Sequence, residues 1–311
     1  MNLIEAFSEL EDFRRPQGRR YPLGPMLVIV IMGIACGHTA YREIARFAKA
    51  NADRLRELFR LERPEMPSHV TIGTLIQGAD FSQLLVIFEN WSVRHAEVGA
   101  GDWLSADGKA IASTVSDHDS SYQDFVSMIS VFSQKYGQIA GSDIFSNKKD
   151  SEIPTFENLV RLLGLEDVVF TMDALHCQKD TLNTIVGTDN DYVVKVKANQ
   201  PTLLDSLIRN SETSEPLDIF ETSEINRGRL ETRETSVFGL PPDLPEGWPG
   251  VSRVICVRRL FEKSGDIHST TSFYISSPES DSAELFAEGI RGHRHVENRL
   301  HYVKDVIMNE D

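Results

Sequence analysis

Three carboxylates carry the chemistry this sequence can do: Asp107, Asp173 and Glu297. Asp107 closes the run Trp103-Leu104-Ser105-Ala106, Asp173 closes Val168-Val169-Phe170-Thr171-Met172, and Glu297 stands in the helix-like Gly292-His293-Arg294-His295-Val296-Glu297-Asn298. A short buried strand that ends in a carboxylate leaves it at the strand's carboxyl end, where open α/β sheets bind ligands. Hard divalent cations take oxygen ligands, and magnesium keeps several waters while using only a few carboxylates. Two such ions roughly 4 Å apart stabilise the attacking and the leaving oxygen of an in-line phosphoryl displacement. The expected site is therefore a metal site formed by Asp107, Asp173 and Glu297, and the expected reaction is phosphodiester chemistry. Each residue alone has a plainer role: Asp173 as a cap for the helix after it, Asp107 before Gly108 as a turn residue, and Glu297 as a solvated helix residue.

Rival sites are weaker. His293, Glu297 and His301 recur at i, i+4 and i+8 and would share one helix face, as transition-metal ligands do. At 1.5 Å per residue they span about 12 Å, too far for one ion. Cys177 follows His176, but adjacent helix residues do not face each other, so a buried structural thiol is expected. The sequence holds no GxSxG, P-loop, GxGxxG or HExxH motif. Lys195 and Lys197 point to one face of a strand; they suit either a DNA backbone or a solvated sheet edge.

Elements must hold these residues in place. Residues 1–98 read as helical: 3–10 and 41–48 are amphipathic, 23–37 is apolar, and 53–59 continues the same style. Ser68 stands where an N-cap would, ahead of 70–75 and the apolar run 81–91. Val98-Gly99-Ala100-Gly101 reads as a linker. Strands are expected at 103–107, 125–132 and 138–145, a helix at 154–163 between Pro154 and Gly164, then a strand to Asp173, a helix through 185 and a strand at 192–197. Strand, hairpin, helix, strand, helix, strand describes a mixed sheet with helices on its faces. After a helix from 201 to about 209, strands at 219–225, 229–238, 251–261 and 267–275 read as an antiparallel β-rich insertion within about 203–277. The helical period returns at 283 and is expected to continue through 306.

The 311 residues allow two domains, here 1–98 and 99–311. The formal charge of -15 excludes a simple basic nucleic-acid binder. The balance is uneven, however: residues 1–98 carry twelve basic and twelve acidic residues, so the whole deficit, 20 basic against 35 acidic, lies in 99–311. Arg14, Arg15, Arg19 and Arg20 give the first part a local basic surface suited to DNA, or a solvated face. Cys36, Cys177 and Cys256 form no CxxC pair, which fits a reducing cytoplasm rather than a disulfide framework. The arginines followed by the apolar run 27–36 imitate a signal peptide, but the run is short of the ~20 residues that span a bilayer and Glu5 to Asp12 precede it, so a buried helix is expected and no membrane partner.

Asp107-Gly108-Lys109, Met172-Asp173-Ala174-Leu175-His176-Cys177-Gln178-Lys179, Lys197-Ala198-Asn199-Gln200-Pro201, Ile290-Arg291-Gly292-His293 with Glu297-Asn298, and Asn309-Glu310-Asp311 together resemble the H-repeat-associated transposases, an insertion-sequence family of the DDE class. Glu11 to Leu23, the Pro67-Ser68-His69 turn and Gly228-Arg229-Leu230-Glu231-Thr232-Arg233 add to the likeness. The resemblance implies an α/β, ribonuclease-H-like catalytic domain behind a helical DNA-recognition domain, with Asp107, Asp173 and Glu297 as the acidic triad holding Mg2+ or Mn2+. It implies cleavage at the element's terminal inverted repeats, attack of the freed 3′-hydroxyl on target DNA, and a homodimer or higher assembly on that DNA. Lys304 stands seven residues after Glu297, where such proteins keep a phosphate-holding Lys. Ile290 and His293 occupy the usual Tyr and Arg places, leaving Arg291 or Arg294 to substitute. Thr-Leu-Arg usually follows Asp-Gly-Lys; here Ala110-Ile111-Ala112 does. The helical tail beyond Asn309-Glu310-Asp311 is also missing, so the alternative expectation is an inactive, truncated or host-adopted remnant that only binds DNA. A stand-alone metal-dependent nuclease is a third reading.

Overall fold

The computed structural model describes residues 2–95, 98–116, 124–146, 151–226, 229–263 and 266–302. The chain divides into two compact units, one comprising residues 1–96 and 302–311 and the other 97–301.

The first unit contains six helices: α1 (Leu3–Phe7), α2 (Leu23–Ala35), α3 (Tyr41–Ala50), α4 (Ala52–Phe59), α5 (His69–Gly78) and α6 (Phe81–His95). Ser68 caps α5 as its position suggests, its side chain accepting from the Thr71 N–H at 3.3 Å. A helix that is apolar on every side tends to be enclosed, and most of α2 is: Met26 and Ile29 are fully buried, in two clusters shared with α1, α3, α4 and α5, while Ile31 stays exposed. Among the described residues no helix is long and apolar enough to cross a membrane.

The second unit is built on a nine-stranded sheet. Its strands are β1 (Trp103–Ser116), β2 (Asp124–Ser133), β3 (Ile139–Ser146), β4 (Val169–Met172), β5 (Asp191–Val196), β6 (Asp218–Asn226), β7 (Arg229–Phe238), β8 (Arg253–Lys263) and β9 (Asp266–Ser276), in the order β3-β2-β1-β4-β5-β9-β8-β7-β6. Within β3-β2-β1-β4-β5 the first three strands run antiparallel and β1, β4 and β5 parallel. This is the ribonuclease-H-like arrangement that the resemblance implies. The inserted strands are not a separate layer: β9 pairs with β5 and extends the same sheet. Helices α7 (Glu152–Leu163) and α8 (Lys179–Val186) follow β3 and β4, α9 (Pro201–Thr213) leads into the insertion, and α10 (Ala283–Gly292) comes after it.

Three expectations are corrected. β1 does not close at Asp107, because Gly108 to Ile111 stay paired with β2. β5 is not an edge, because β4 and β9 flank it, so Lys195 does not stand on a sheet margin, whereas Lys197 lies just past the strand and is exposed. The helix from 283 is interrupted at His293, resumes at Arg294, and passes through a π-helical turn at Val296–His301 to Tyr302, the last described residue.

Candidate active site

The short strand β4 creates the site. Its register with β1 ends at Ala106 opposite Met172, so Asp107 and Asp173 are each the next residue beyond the last shared rung. Side chains alternate along strands. Trp103, Ser105 and Asp107 on β1 therefore share a face with Val169, Thr171 and Asp173. That face is the one α10 covers: Phe286 and Ala283 are fully buried against Val169 and Val193, with Trp103 edge-on to Phe286 at 6.3 Å. The helix can approach so closely because it turns glycines inward. A Cβ on Gly289 would meet the Trp103 ring at 2.0 Å, and one on Gly292 would meet Gln134 Oε1 at 1.9 Å.

A buried polar clasp fixes the segment that leads to Glu297. Gln134 Nε2 lies 3.1 Å from Ser105 Oγ, Thr171 Oγ1 and the Gly289 carbonyl. Thr171 Oγ1 also contacts His293 Nδ1 at 3.1 Å and donates to the Leu104 carbonyl. Burial pushes His293 down to about 4, so it is a neutral, packed ring rather than a phosphate ligand. The proposed zinc face is overturned by the same geometry: His293 follows the end of α10 while Glu297 and His301 ride the π-helical turn. π-turns inside helices frequently mark functional sites.

At the rim, Asp107 is pushed up to about 7, first by burial and then by the negative charge of Glu152, Glu297 and Asp173. One of its oxygens accepts from the Gly108 N–H at 3.1 Å, and the other lies 3.5 Å from His301 Nδ1. Asp173 has the plainer role as well: Oδ1 accepts from the Leu175 N–H at 2.8 Å and caps the 3-10 turn at Ala174–His176. Glu152 was not anticipated. It arrives from the opposite sheet face at the start of α7, held by buried His176, whose Nε2 is 3.0 Å from Glu152 Oε1. Gly108 admits it, since a Cβ there would meet Glu152 Oε2 at 2.3 Å. A glutamate just before Pro154 is a weak sequence signal, because any helix start favours an acid.

The four carboxylates form one electrostatic neighbourhood, yet among the described residues no group of three His, Cys, Asp or Glu is placed to hold a metal ion as it stands. Their chemistry nevertheless suits a hard cation: all are oxygen donors, and Asp107 shows the strain of gathered negative charge. Cys177 is buried and pushed up to about 12 by burial, so it is no nucleophile.

The basic residues separate into classes. Arg14 is buried, binding Asp12 through Nε and Nη2 at 2.8 Å and donating to the Tyr21 carbonyl. Arg19 donates to the Arg14 and Asp12 carbonyls. These two shape their own loop, while Arg15 and Arg20 are exposed. Arg291 is paired with Glu224 through both oxygens. Arg294 lines a groove of about 1210 Å³ with Asp173, Glu297, Lys195, Arg233 and Arg259. Lys304 lies outside the described residues, as does the Asn309-Glu310-Asp311 motif.

Comparison with known proteins agrees across the chain. Residues 91–311 match the family described as "Transposase DDE domain", and residues 4–92 match "DDE_Tnp_1-associated". From Escherichia coli O157:H7, "Putative transposase YncI" is 29% identical over 100% of this chain and 81% of its own length. "H repeat-associated putative transposase YhhI" from Escherichia coli (strain K12) is 29% identical over 99% of this chain and 83% of its own. "Putative protein YbfL" from the same strain is 30% identical with the same coverage.

Proposed function

This chain belongs to the DDE transposases, alongside the H repeat-associated proteins, and on that footing we propose that it cuts DNA at the ends of an insertion element and transfers the freed 3′-hydroxyl into target DNA. Asp107, Asp173 and Glu297 are the catalytic carboxylates and the ligands for Mg2+ or Mn2+. One observation supports this most: Asp107 and Asp173, far apart in sequence, each stand one residue past the last shared rung of β1 and β4, and Glu297 lines the same groove as Asp173. When bound, the divalent ions supply charge stabilisation for the attacking and leaving oxygens. The protein's own residues supply the rest: the clasp of Gln134, Thr171 and His293 orients the π-turn, and α10 shields the sheet face behind the rim from water.

The helical unit recognises the terminal repeats, with Arg15 and Arg20 as exposed phosphate contacts beside the Arg14–Asp12–Arg19 loop, and Lys304 steadies a phosphate near Glu297. Arg294 takes the phosphate role for which His293 is unsuited. The active form is a homodimer or higher assembly on DNA in the cytoplasm. Asp173→Asn tests the reading. Metal-dependent nicking of terminal-repeat DNA should vanish while binding stays near wild type; undiminished nicking would remove Asp173 from the mechanism.

A second reading, a protein that binds DNA without cutting it, is favoured by the absence of a preformed metal group among the described residues. Manganese titration of the wild-type chain with DNA present separates the two: nicking that rises with the metal supports the first, and none at saturation supports the second.

A further inference from the structure

The face of the inserted strands sets further cations, Arg233 and Arg259, beside the Arg294 already assigned to phosphate. Alternation puts Glu231, Arg233 and Thr235 of β7, Val257, Arg259 and Phe261 of β8, and Ser272 and Tyr274 of β9 on one side with Lys195 of β5, and Lys197, just past that strand, lines the same groove. Arg233 stands directly opposite Arg259. Like charges in that position destabilise a sheet. Glu231 accepts hydrogen bonds from both guanidinium groups, which balances one of them. Arg294, approaching from beyond α10, adds a third and also feels Glu297, so the three arginines against these two glutamates keep one positive charge in excess.

The excess is felt by the neighbours. Arg294 is lowered by burial and then by Arg233 and Arg259; Lys195 is lowered by burial and then by Lys197 and Arg294. Arg259 lies over the Phe261 ring at 4.6 Å and Lys195 over Tyr274 at 5.9 Å. Ring faces hold cations in position without neutralising them. A half-buried surplus of one sign is costly unless a counter-charge arrives. In a chain whose net charge is -15, this concentration does not follow from composition.

We propose that this groove holds the sugar-phosphate backbone of a DNA strand, with one phosphodiester seated among Arg233, Arg259 and Arg294, and that the strand continues to the carboxylate rim. The proposal rests on the reading that the protein acts on DNA. Guanidinium groups match phosphate oxygens in paired, planar hydrogen bonds. The groove is about 1210 Å³ and is lined by Asp173 and Glu297 as well as by the arginines, which suits a chain of phosphates rather than a single small anion.

The test uses the full chain and a labelled DNA duplex, with affinity measured between about 50 and 200 mM salt, where counterion release dominates. Arg259→Gln and Arg294→Gln should each weaken binding several-fold and lower the salt slope by about one. Glu231→Gln should tighten binding, because it removes the built-in counter-charge. Lys195→Gln leaves the Glu231 bonds in place and should weaken binding too, which guards against misfolding as the cause; thermal melts accompany each variant. Unchanged affinity and slope in folded Arg259→Gln and Arg294→Gln would overturn the groove, as would competition by inorganic phosphate as effective as that by DNA. If those slopes are unchanged while Asp173→Asn has lost nicking, only the groove fails. If Asp173→Asn still nicks while the slopes fall as expected, only the catalytic assignment fails.

Discussion

At the rim beside β4, Asp107 meets the charges of Glu152, Glu297 and Asp173; on the inserted strands Arg233 faces Arg259, with Glu231 hydrogen-bonded to both. Both regions force like charges together, and they accommodate the crowding differently. A carboxylate can relieve it by holding a proton, and Asp107 is raised to about 7 accordingly. Guanidinium groups stay charged in proteins, so the arginine cluster needs a carboxylate of its own, and Glu231 is held down to about 2, chiefly by Arg259. The acid side can adjust its charge, whereas the basic side has a fixed one. The first arrangement suits an incoming cation and the second a permanent polyanion.

The largest effect that would sharpen this contrast is expected among the acids themselves. Glu297→Gln should slow nicking by at least about a hundredfold, the scale on which a lost transition-state charge partner acts. Glu152→Gln, anchored through His176, should slow it by only about tenfold, as outer partners do. Equal losses in the two variants would make Glu152 a full member of the set. Next comes the seat of α10. Gly289→Ala should destabilise the fold by about 1–3 kcal/mol through overpacking on Trp103, read as a lower urea midpoint with reduced nicking; an unchanged midpoint would mean that the helix does not press on that ring. Gln134→Leu removes the amide donor that Ser105 Oγ, Thr171 Oγ1 and the Gly289 carbonyl share and should cost about 1 kcal/mol, with nicking lost beyond what the stability change explains if the clasp aims Glu297.

The smallest effect lies with Glu231 and depends on pH. Its folded carboxyl titrates at about 2, below the usual 4.5, so its contribution is present above the unfolded value and is lost as pH falls from about 4.5 towards about 2. Glu231→Gln should therefore flatten the acid limb of the stability curve in that window. Superimposable acid limbs would place the two arginines elsewhere in solution.

Local patterns made much of the chain legible. The caps, the 3.6-residue period of the helical unit and the alternation of the inserted strands all appear at the expected places, and the acids at 107 and 173 stand beside each other at one end of the sheet. What could not be read depends on partners far away in sequence. Asp107 lies mid-strand because β2 keeps pairing with β1 as far as Ile111 after β4 has ended at Met172, a property of its neighbours and not of its own surroundings in sequence. β5 is interior because β9 pairs with it, which nothing around Lys195 reveals. The Arg233–Arg259 opposition needs the β7–β8 register, and Glu152 enters from the far face through the space Gly108 leaves open. The π-turn under Glu297 has no periodic signature, since six residues are too few to establish one.

The hydrogen bonds between β5 and β9 carry a metric consequence. Because the insertion is stitched into the sheet rather than hung from it, the step from β4 to β8 is three strand spacings, about 14 Å. That is roughly four base-pair rises along a duplex. On the proposed path, that spacing would act as a ruler, setting how many nucleotides lie between the arginine seat and the carboxylate rim.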